Sequence, residues 1–414
     1  MKSLILKFEK YFCNGNLVLR VFLFHLLIML SIVMVLIFYF NVNTNFFLED
    51  DGYYNLGKLF FHGKIGLTNQ YIGPGLPLIM SVINIFPEKI HFLVRIIFTE
   101  LFTLGNIYLV YKIFNTLINK REIFWGLITG LFNPLYLRFI LKPVIEIYVA
   151  FFLGLVIYSL IFYERKRIIM FLLLLLVLFV GTYFKPIFLF IPFGIFLFAL
   201  TTKYKNYLLL SGILLLFIMI TFYSFINFTK IKEPGEGLYT TPYGTNDFIA
   251  SVFFIQAIHQ TNNISLGSKL IEVAPLNSNI YLARKYTIDW KDNYHKLGGS
   301  ENLIIMNSEF ILQKFGSVII AKLLAPVFFI SLSDTFQETI IHLFINIFIL
   351  LIAYRSIKKL YRYNKKQILL IVIILFSYAS IFFITFSYVR YSLPFIFYMS
   401  IFTGHSICGW LKIQ

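Results

Sequence analysis

"LVLRVFLFHLLIMLSIVMVLIFYF", residues 17–40, decides the fold. At about 1.5 Å of rise per residue, this run is long enough as a helix to cross a hydrocarbon core of about 30 Å. Runs of similar length and character recur along the chain, so the sequence reads as an all-α polytopic integral membrane protein. Directly after the first run comes "FFLEDDGYYNLGKLFF", residues 46–61, in which Glu49, Asp50 and Asp51 stand together. Three acids beside a membrane surface, followed by a glycine and two tyrosines, are the feature that a functional reading has to explain.

The composition agrees with a membrane protein. The 414 residues are 59% hydrophobic and 13% charged, with a mean hydropathy of +0.81. A soluble domain carries about twice that share of charge. The net charge of +17 does not mark a nucleic-acid binder, because the cations sit in short gaps between apolar runs, where charge sets orientation. The first apolar run exceeds a signal-peptide core and no small-residue cleavage site follows it, so it is expected to stay as an anchor. The two cysteines, Cys13 and Cys408, lie at opposite ends of the chain, which argues against a disulfide framework or a cysteine metal site.

Spans are expected at about 17–40, 90–114, 123–141, 143–163, 168–184, 186–201, 207–228, 339–354, 368–388 and 391–410, ten or eleven helices in all. A turn is expected at Lys185-Pro186, since a residue before proline avoids the helical region. With the N-terminus in the cytoplasm, about half of the 36 lysines and arginines fall into short inner loops, including Arg165–Arg167 and the cluster from Arg355 to Lys366. That distribution is the one the orientation rule favours. It requires that "FGSVIIAKLLAPVFFISL", 315–332, interrupted by Lys322 and Pro326, lie on the outer face as an interfacial or re-entrant helix. Three parts follow. Residues 1–228 form an N-terminal membrane module whose first outer loop, 41–89, carries the acids and juxtamembrane helices. Residues 229–338 hold a large outer loop and the interfacial helix, and 339–414 form a C-terminal membrane module.

This topology gathers distant ionisable groups at one membrane surface. The acids are Glu49, Asp50, Asp51 and Glu146; the cations are Arg138, Lys142, Lys185 and Arg390. Such a set suits transfer from a phosphate-linked donor. A carboxylate takes a proton from an attacking hydroxyl, while Lys and Arg hold the departing phosphate. Plainer readings exist for each. Acids after a span also occur as solvated loop, long cations snorkel to the interface, and Tyr53 and Tyr54 suit an aromatic belt. Glu146 has two potential partners, Lys142 four residues before it and Lys185, and Pro143 interferes with a helical pairing to the first.

The ordered pieces resemble the GT-C superfamily of membrane glycosyltransferases, most of all the branch of protein O-mannosyltransferases and the bacterial lipid A aminoarabinose transferase. "EDDGYY" (49–54) with "LFFHGKIG" is similar to the first-loop acid pair and tyrosine. "YIGPGLPLIMSVINIF" (71–86) resembles the juxtamembrane segment that opens on Pro-Gly-Pro. "NPLYLRFILKPVIEIY" (133–148) places Glu146 at the outer end of a span. "VGTYFKPIFLFIP" (180–192) is similar to a Gly…basic-Pro element with Lys185 where arginine is commoner, and "SYVRYSLPFIFY" (387–398) to an Arg-Tyr-x-x-Pro element. The likeness covers about 46–400 but not the 229–314 loop. It departs from relatives at Asp51, where many have glutamate, and at Lys185, which lacks arginine's planar fork.

The resemblance implies an inverting transfer of a sugar from a polyprenyl phosphate to a hydroxyl or amine of a glycan, lipid or protein acceptor on the outer face. Asp50 or Asp51 would be the general base. Lys185 and Arg390 would hold the phosphate, with Glu49, Tyr54, Arg138, Lys142, Glu146 and Tyr391 lining the substrate site. A divalent metal beside the acids stays open, and His62 is the outer histidine nearest them in sequence. The richness in Phe, Ile, Lys and Asn suits an AT-rich bacterial genome, hence a plasma-membrane location.

Two other classes compete. A polysaccharide polymerase or O-antigen ligase would place its weight on the large loop, here Arg284, Lys285 and His295. A lipid or polysaccharide transporter would show repeats or charges near span centres, whereas the candidate charges lie at span ends, with Arg95 near the outer start of its span. The topology has a direct test. Cysteines introduced at Ser268 and Asn293 are expected to react with a membrane-impermeant thiol reagent in intact cells, and labelling only after lysis would invert the orientation.

Overall fold

The computed structural model describes residues 2–48, 52–63, 75–142, 144–202, 205–229, 325–327, 329–331, 336–384 and 389–413. Among these residues the structure is helical with no strand. The helices are α1 (Lys2–Cys13), α2 (Leu17–Phe38), α3 (Tyr53–Phe61), α4 (Gly75–Ile83), α5 (His91–Phe114), α6 (Lys120–Leu131), α7 (Pro134–Leu141), α8 (Glu146–Phe162), α9 (Arg167–Phe184), α10 (Ile191–Thr202), α11 (Lys205–Thr229), α12 (Phe336–Leu360), α13 (Lys365–Ile384) and α14 (Leu393–Ile413). The chain divides into two compact units. The first comprises residues 1–229, 348–378 and 393–414; the second comprises 230–347 and 379–392.

Among the described residues, five stretches are long and apolar enough to cross a membrane: Leu17–Phe38, Glu88–Phe114, Arg167–Phe184, Gln337–Leu360 and Lys365–Phe383. Several of the other expected spans depart from a straight crossing for identifiable reasons. The expected 123–141 span is two helices, α6 and α7, meeting at 59°. Asn133 precedes Pro134 and so takes extended backbone, φ −62° and ψ 130°. Its side chain accepts a bond from Leu135 N at 2.8 Å, and Pro134 fills the first helical position, so a new helix starts there. The apolar helices at 146–162 and 187–202 are shorter than a full crossing, whereas α11, Lys205–Thr229, runs the length of the expected 207–228 span. α14 has the length, but Ser400, Thr403, His405 and Ser406 lower its apolarity, and three of those four are buried in its packing.

The expected break at Lys185-Pro186 is present. α9 ends at Phe184, Lys185 is extended (φ −151°, ψ 121°), and a 3-10 turn runs from Pro186 to Phe190. Within the expected outer loop 41–89, a 3-10 turn at Thr44–Phe47 and the helices α3 and α4 are formed.

In the first unit α6 lies closely along α14. A Cβ on Gly126 would stand 2.5 Å from the carbonyl oxygen of Ile401, and one on Gly404 would run into the carbonyl of Glu122. Small residues at such a crossing let two backbones approach, the usual device where lipid offers no hydrophobic drive. Glu122 also closes a capping box with Asn119 and meets His405 Nδ1 at 2.9 Å. α1, a short helix with an apolar stripe, docks on α6. Phe12 stacks on Phe124 with ring centres 5.1 Å apart, and Glu9 accepts from Trp125 Nε1 at 3.1 Å and pairs with Arg121. Neither cysteine forms a disulfide, and burial, then Glu9, pushes Cys13 up to about 11.

In the second unit, Phe329 stacks on Phe382 and Phe382 on Tyr391, with ring centres 5.6 and 4.8 Å apart. Asn346 Nδ2 donates to the Ile330 carbonyl at 2.7 Å. Of the stretch 315–332 only 325–327 and 329–331 are described, both helical, and its crossing or non-crossing lies outside the described residues.

The α6–α14 contact yields a paired test. Gly404→Val forces a side chain into backbone and is expected to destabilise by about 1–3 kcal/mol. Gly409→Ala, with open space around its Cβ, is expected to be neutral or to stabilise by up to about 1 kcal/mol. Thermal unfolding in detergent, compared with the parent chain, reads both.

Candidate active site

Glu49, Asp50 and Asp51 lie outside the described residues. What is described is how the chain reaches and leaves them. On the near side, Phe47 is fully buried in a cluster with Val33 of α2 and Ile96 of α5. On the far side, Gly52 is left-handed (φ 78°), a conformation glycine adopts without steric cost, and α3 begins at once.

Tyr54, expected as a substrate-site residue, is buried in α3. His91 Nε2–H donates to the Phe86 carbonyl at 2.6 Å, which leaves Nδ1 as the acceptor for the Tyr54 hydroxyl at 2.6 Å. The Lys58 ammonium lies 4.7 Å above the Tyr54 ring and pairs with Glu88 at 3.1 Å. Burial is the main influence raising the Tyr54 hydroxyl above the ordinary phenol value, and Lys58 opposes it. The bond to Glu88 is the main influence raising Lys58.

Arg138 and Lys142 come from α7 and its end, Glu146 from the start of α8, and Lys185 from the end of α9. Glu146 is fully buried at the first position of α8, where the helix dipole favours a carboxylate. Of its two potential partners it meets Lys185, with Nζ 3.0 Å from Oε1. Lys142 is extended at the end of α7, so no helical face joins it to Glu146; its ammonium lies 5.3 Å over the Phe46 ring. Arg138 is half-buried, 5.8 Å from the Phe139 ring centre.

Three of the quoted motifs converge here. A Cβ on Gly75, from "GPGLP", would stand 2.5 Å from the ring of Phe184. Tyr148, from "IEIY", stacks on that same ring, with centres 5.9 Å apart and planes 26° apart. Lys185 is the next residue and holds Glu146. Arg390 and Tyr391 belong to the second unit, where the Arg390 guanidinium lies 5.1 Å over the Tyr391 ring.

Two features go beyond the sequence reading. The first is Arg95, which the sequence marks only as a charge near the outer start of its span; it is 0% exposed on α5 and donates to the carbonyls of Ile140 and Leu141 at the end of α7. The second is a pair deep in the first two long helices, His25 of α2 and Glu100 of α5, with Nδ1 and Oε2 3.3 Å apart. The signal for both was available: an ionisable residue inside an apolar run is costly and marks a site by default. Among the described residues no three His, Cys, Asp or Glu side chains gather as a metal ion would require, and the acids of 49–51 are not among them. Comparison with protein-family models, curated proteins and solved structures finds no match to this chain.

Arg95 is expected to be indispensable for the geometry of the α7–α8 turn. Arg95→Met leaves two buried carbonyls without their charged donor and is expected to lower stability by about 3 kcal/mol or more. Arg95→Lys, which has no fork, is expected to recover only part of that loss. Denaturant titration in detergent micelles measures both against the parent protein.

Proposed function

We propose that this chain is a membrane glycosyltransferase of GT-C type, moving a sugar from a polyprenyl-phosphate donor to an acceptor on the outer face. The observation that supports this best is the convergence around Phe184 and Lys185 of segments that the resemblance treats as one site. A buried carboxylate and a lysine, 39 residues apart in sequence, meet there beside the segment that follows the acidic run.

The proposed chemistry assigns the base to Asp50 or Asp51, at the end of the buried Phe47 anchor. It removes the acceptor proton as the acceptor attacks the anomeric carbon. Negative charge then grows on the departing lipid phosphate. Lys185 has three donors, so it can keep Glu146 and still reach a phosphate oxygen. Glu146 fixes where the ammonium stands before the donor arrives, which is preorganisation of the kind that makes electrostatic stabilisation effective. Arg390 takes the second phosphate role by resemblance.

A second reading is favoured by one specific feature. A transporter of lipid or polysaccharide would carry ionisable groups near span centres, and His25 and Glu100 are such groups. The two readings separate in one assay with purified protein in lipid nanodiscs or vesicles. On the transferase reading, polyprenyl-phosphate sugar is consumed, and Asp50→Asn or Asp51→Asn lowers turnover at least about a hundredfold. Lys185→Met lowers it as well, whereas Lys185→Arg is tolerated. Unchanged rates in both amide variants would remove the base assignment. Movement of the lipid-linked sugar across the vesicle membrane without its consumption would favour the transporter.

A further inference from the structure

His25 is the ninth residue of α2 and Glu100 the tenth of α5, two of the five helices long enough to cross a membrane, so the pair lies near mid-helix in both. They are 0% and 2% exposed. Their near atoms, His25 Nδ1 and Glu100 Oε2, are 3.3 Å apart. Their far atoms, His25 Nε2 and Glu100 Oε1, are buried with no hydrogen-bond partner among the described residues. Buried polar atoms rarely stay unpaired, and an unmodified pair of this kind calls for a small polar ligand.

Besides His25, the charge of Arg95, five residues earlier on α5, acts on Glu100, but without a salt bridge among the described residues. Arg95, on the same helix, has its guanidinium committed to the Ile140 and Leu141 carbonyls. From α7, the Tyr136 ring stands edge-on 6.3 Å from the imidazole, and its hydroxyl donates to Thr103 at 3.4 Å. From α8, Tyr148 is bonded to Thr99, and from α14 the Tyr398 hydroxyl donates to the Ala150 carbonyl. At the end of α6, the Phe132 ring lies 5.7 Å from His25 and closes that side with apolar surface.

We propose that His25 and Glu100 form a binding and exchange site for one proton inside the membrane-spanning part of the fold. A carboxylate beside a neutral imidazole would leave a buried anion that Arg95, bonded to the Ile140 and Leu141 carbonyls, offsets only at a distance and without a hydrogen bond, which is costly in a low-dielectric interior. One added proton makes the pair neutral, either as imidazolium with carboxylate or as neutral imidazole with carboxylic acid. The proton bridges Nδ1 and Oε2. That arrangement turns Nε2–H outward as a donor and Oε1 outward as an acceptor, so a water molecule hydrogen-bonded to both receives the proton from one and returns it to the other. No bond other than that to the proton forms or breaks. The inference is independent of the transferase reading, because it rests on α2 and α5 and uses none of the residues assigned to sugar transfer.

Infrared and nitrogen-15 magnetic resonance spectra test it on the full-length protein in nanodiscs at neutral pH. The difference between wild type and Glu100→Gln isolates the Glu100 carboxyl, and histidine labelling set against His25→Gln isolates the imidazole. The expected result is one proton on the pair, as imidazolium with carboxylate or as a protonated carboxyl with neutral imidazole. A protonated Glu100 is expected in His25→Gln, and the bridging-proton signal should shift after transfer to heavy water. Should Glu100→Gln fail to fold, the wild-type and His25→Gln imidazole and carboxyl signals give the same answer. A neutral imidazole beside an ionised carboxylate in the wild type, or a proton signal unmoved by heavy water, would overturn the proposal.

Discussion

A guanidinium held by two carbonyls governs the geometry of the first unit. Arg95 stands on α5 in an apolar run, fully buried, with Glu100 acting on it through charge but no carboxylate in salt-bridge contact among the described residues. What satisfies it is the end of a helix. The carbonyls of Ile140 and Leu141 close α7 without intrahelical donors and carry the negative end of its dipole. The bond therefore meets two needs at once, a buried cation and an unpaired helix terminus. It also fixes where α7 stops, and so where Lys142 leaves it and Glu146 enters α8. Through Glu146 the constraint reaches Lys185, and through Phe184 it reaches Gly75 and the helices α4 and α3.

The same helix carries the rest of the polar framework. His91, Arg95, Thr99, Thr103 and Asn106 recur at intervals of three and four, so they lie on one face over about 22 Å. Each has a partner on another element or on its own preceding turn. Tyr54 donates to His91, Tyr148 bonds Thr99, Tyr136 donates to Thr103, and Asn106 donates to the Ile147 carbonyl. Where lipid tails are as apolar as leucine, such bonds and close small-residue contacts specify which helices meet. Glycines 126, 130 and 404 do for α6 and α14 what this polar face does for α3, α5, α7 and α8.

How much of this was legible follows from which properties are local. Helical class, the long apolar stretches and the break before Pro186 depend on hydropathy and on proline's neighbour, and these are written in the sequence. The bend at Asn133-Pro134 was equally local. It was absorbed into a single expected span because apolarity alone does not register a residue that both caps and blocks. Glu146's partner could not be read, since Lys142 and Lys185 were both candidates until the extended backbone at Lys142 removed one. Arg95 and the His25–Glu100 pair were visible as charges in apolar runs, but their partners are main-chain carbonyls on α7 and a residue 75 positions away. Sequence spacing has no signature for either. The acids of 49–51, on which the catalytic reading turns, are outside the described residues.

The Glu146–Lys185 pair bears on function through its energetics. Desolvating both charges costs several kcal/mol per ion, and the attraction between them restores that only in good geometry. Apolar residues of similar size at the two positions would commonly give a protein as stable or more so. Stability alone therefore does not account for a carboxylate and an ammonium here, at the junction of three segments. Charge does account for them if something charged arrives. A lysine held ready by a buried acid, next to a helix end where α9 breaks, is suited to an anion whose charge increases during reaction. A lipid phosphate leaving a sugar is such an anion. On the proposed reading, the apolar walls built from Tyr148, Phe152, Phe184 and Phe188 would serve the same end, since a low dielectric makes each charge-assisted bond stronger than it would be in water.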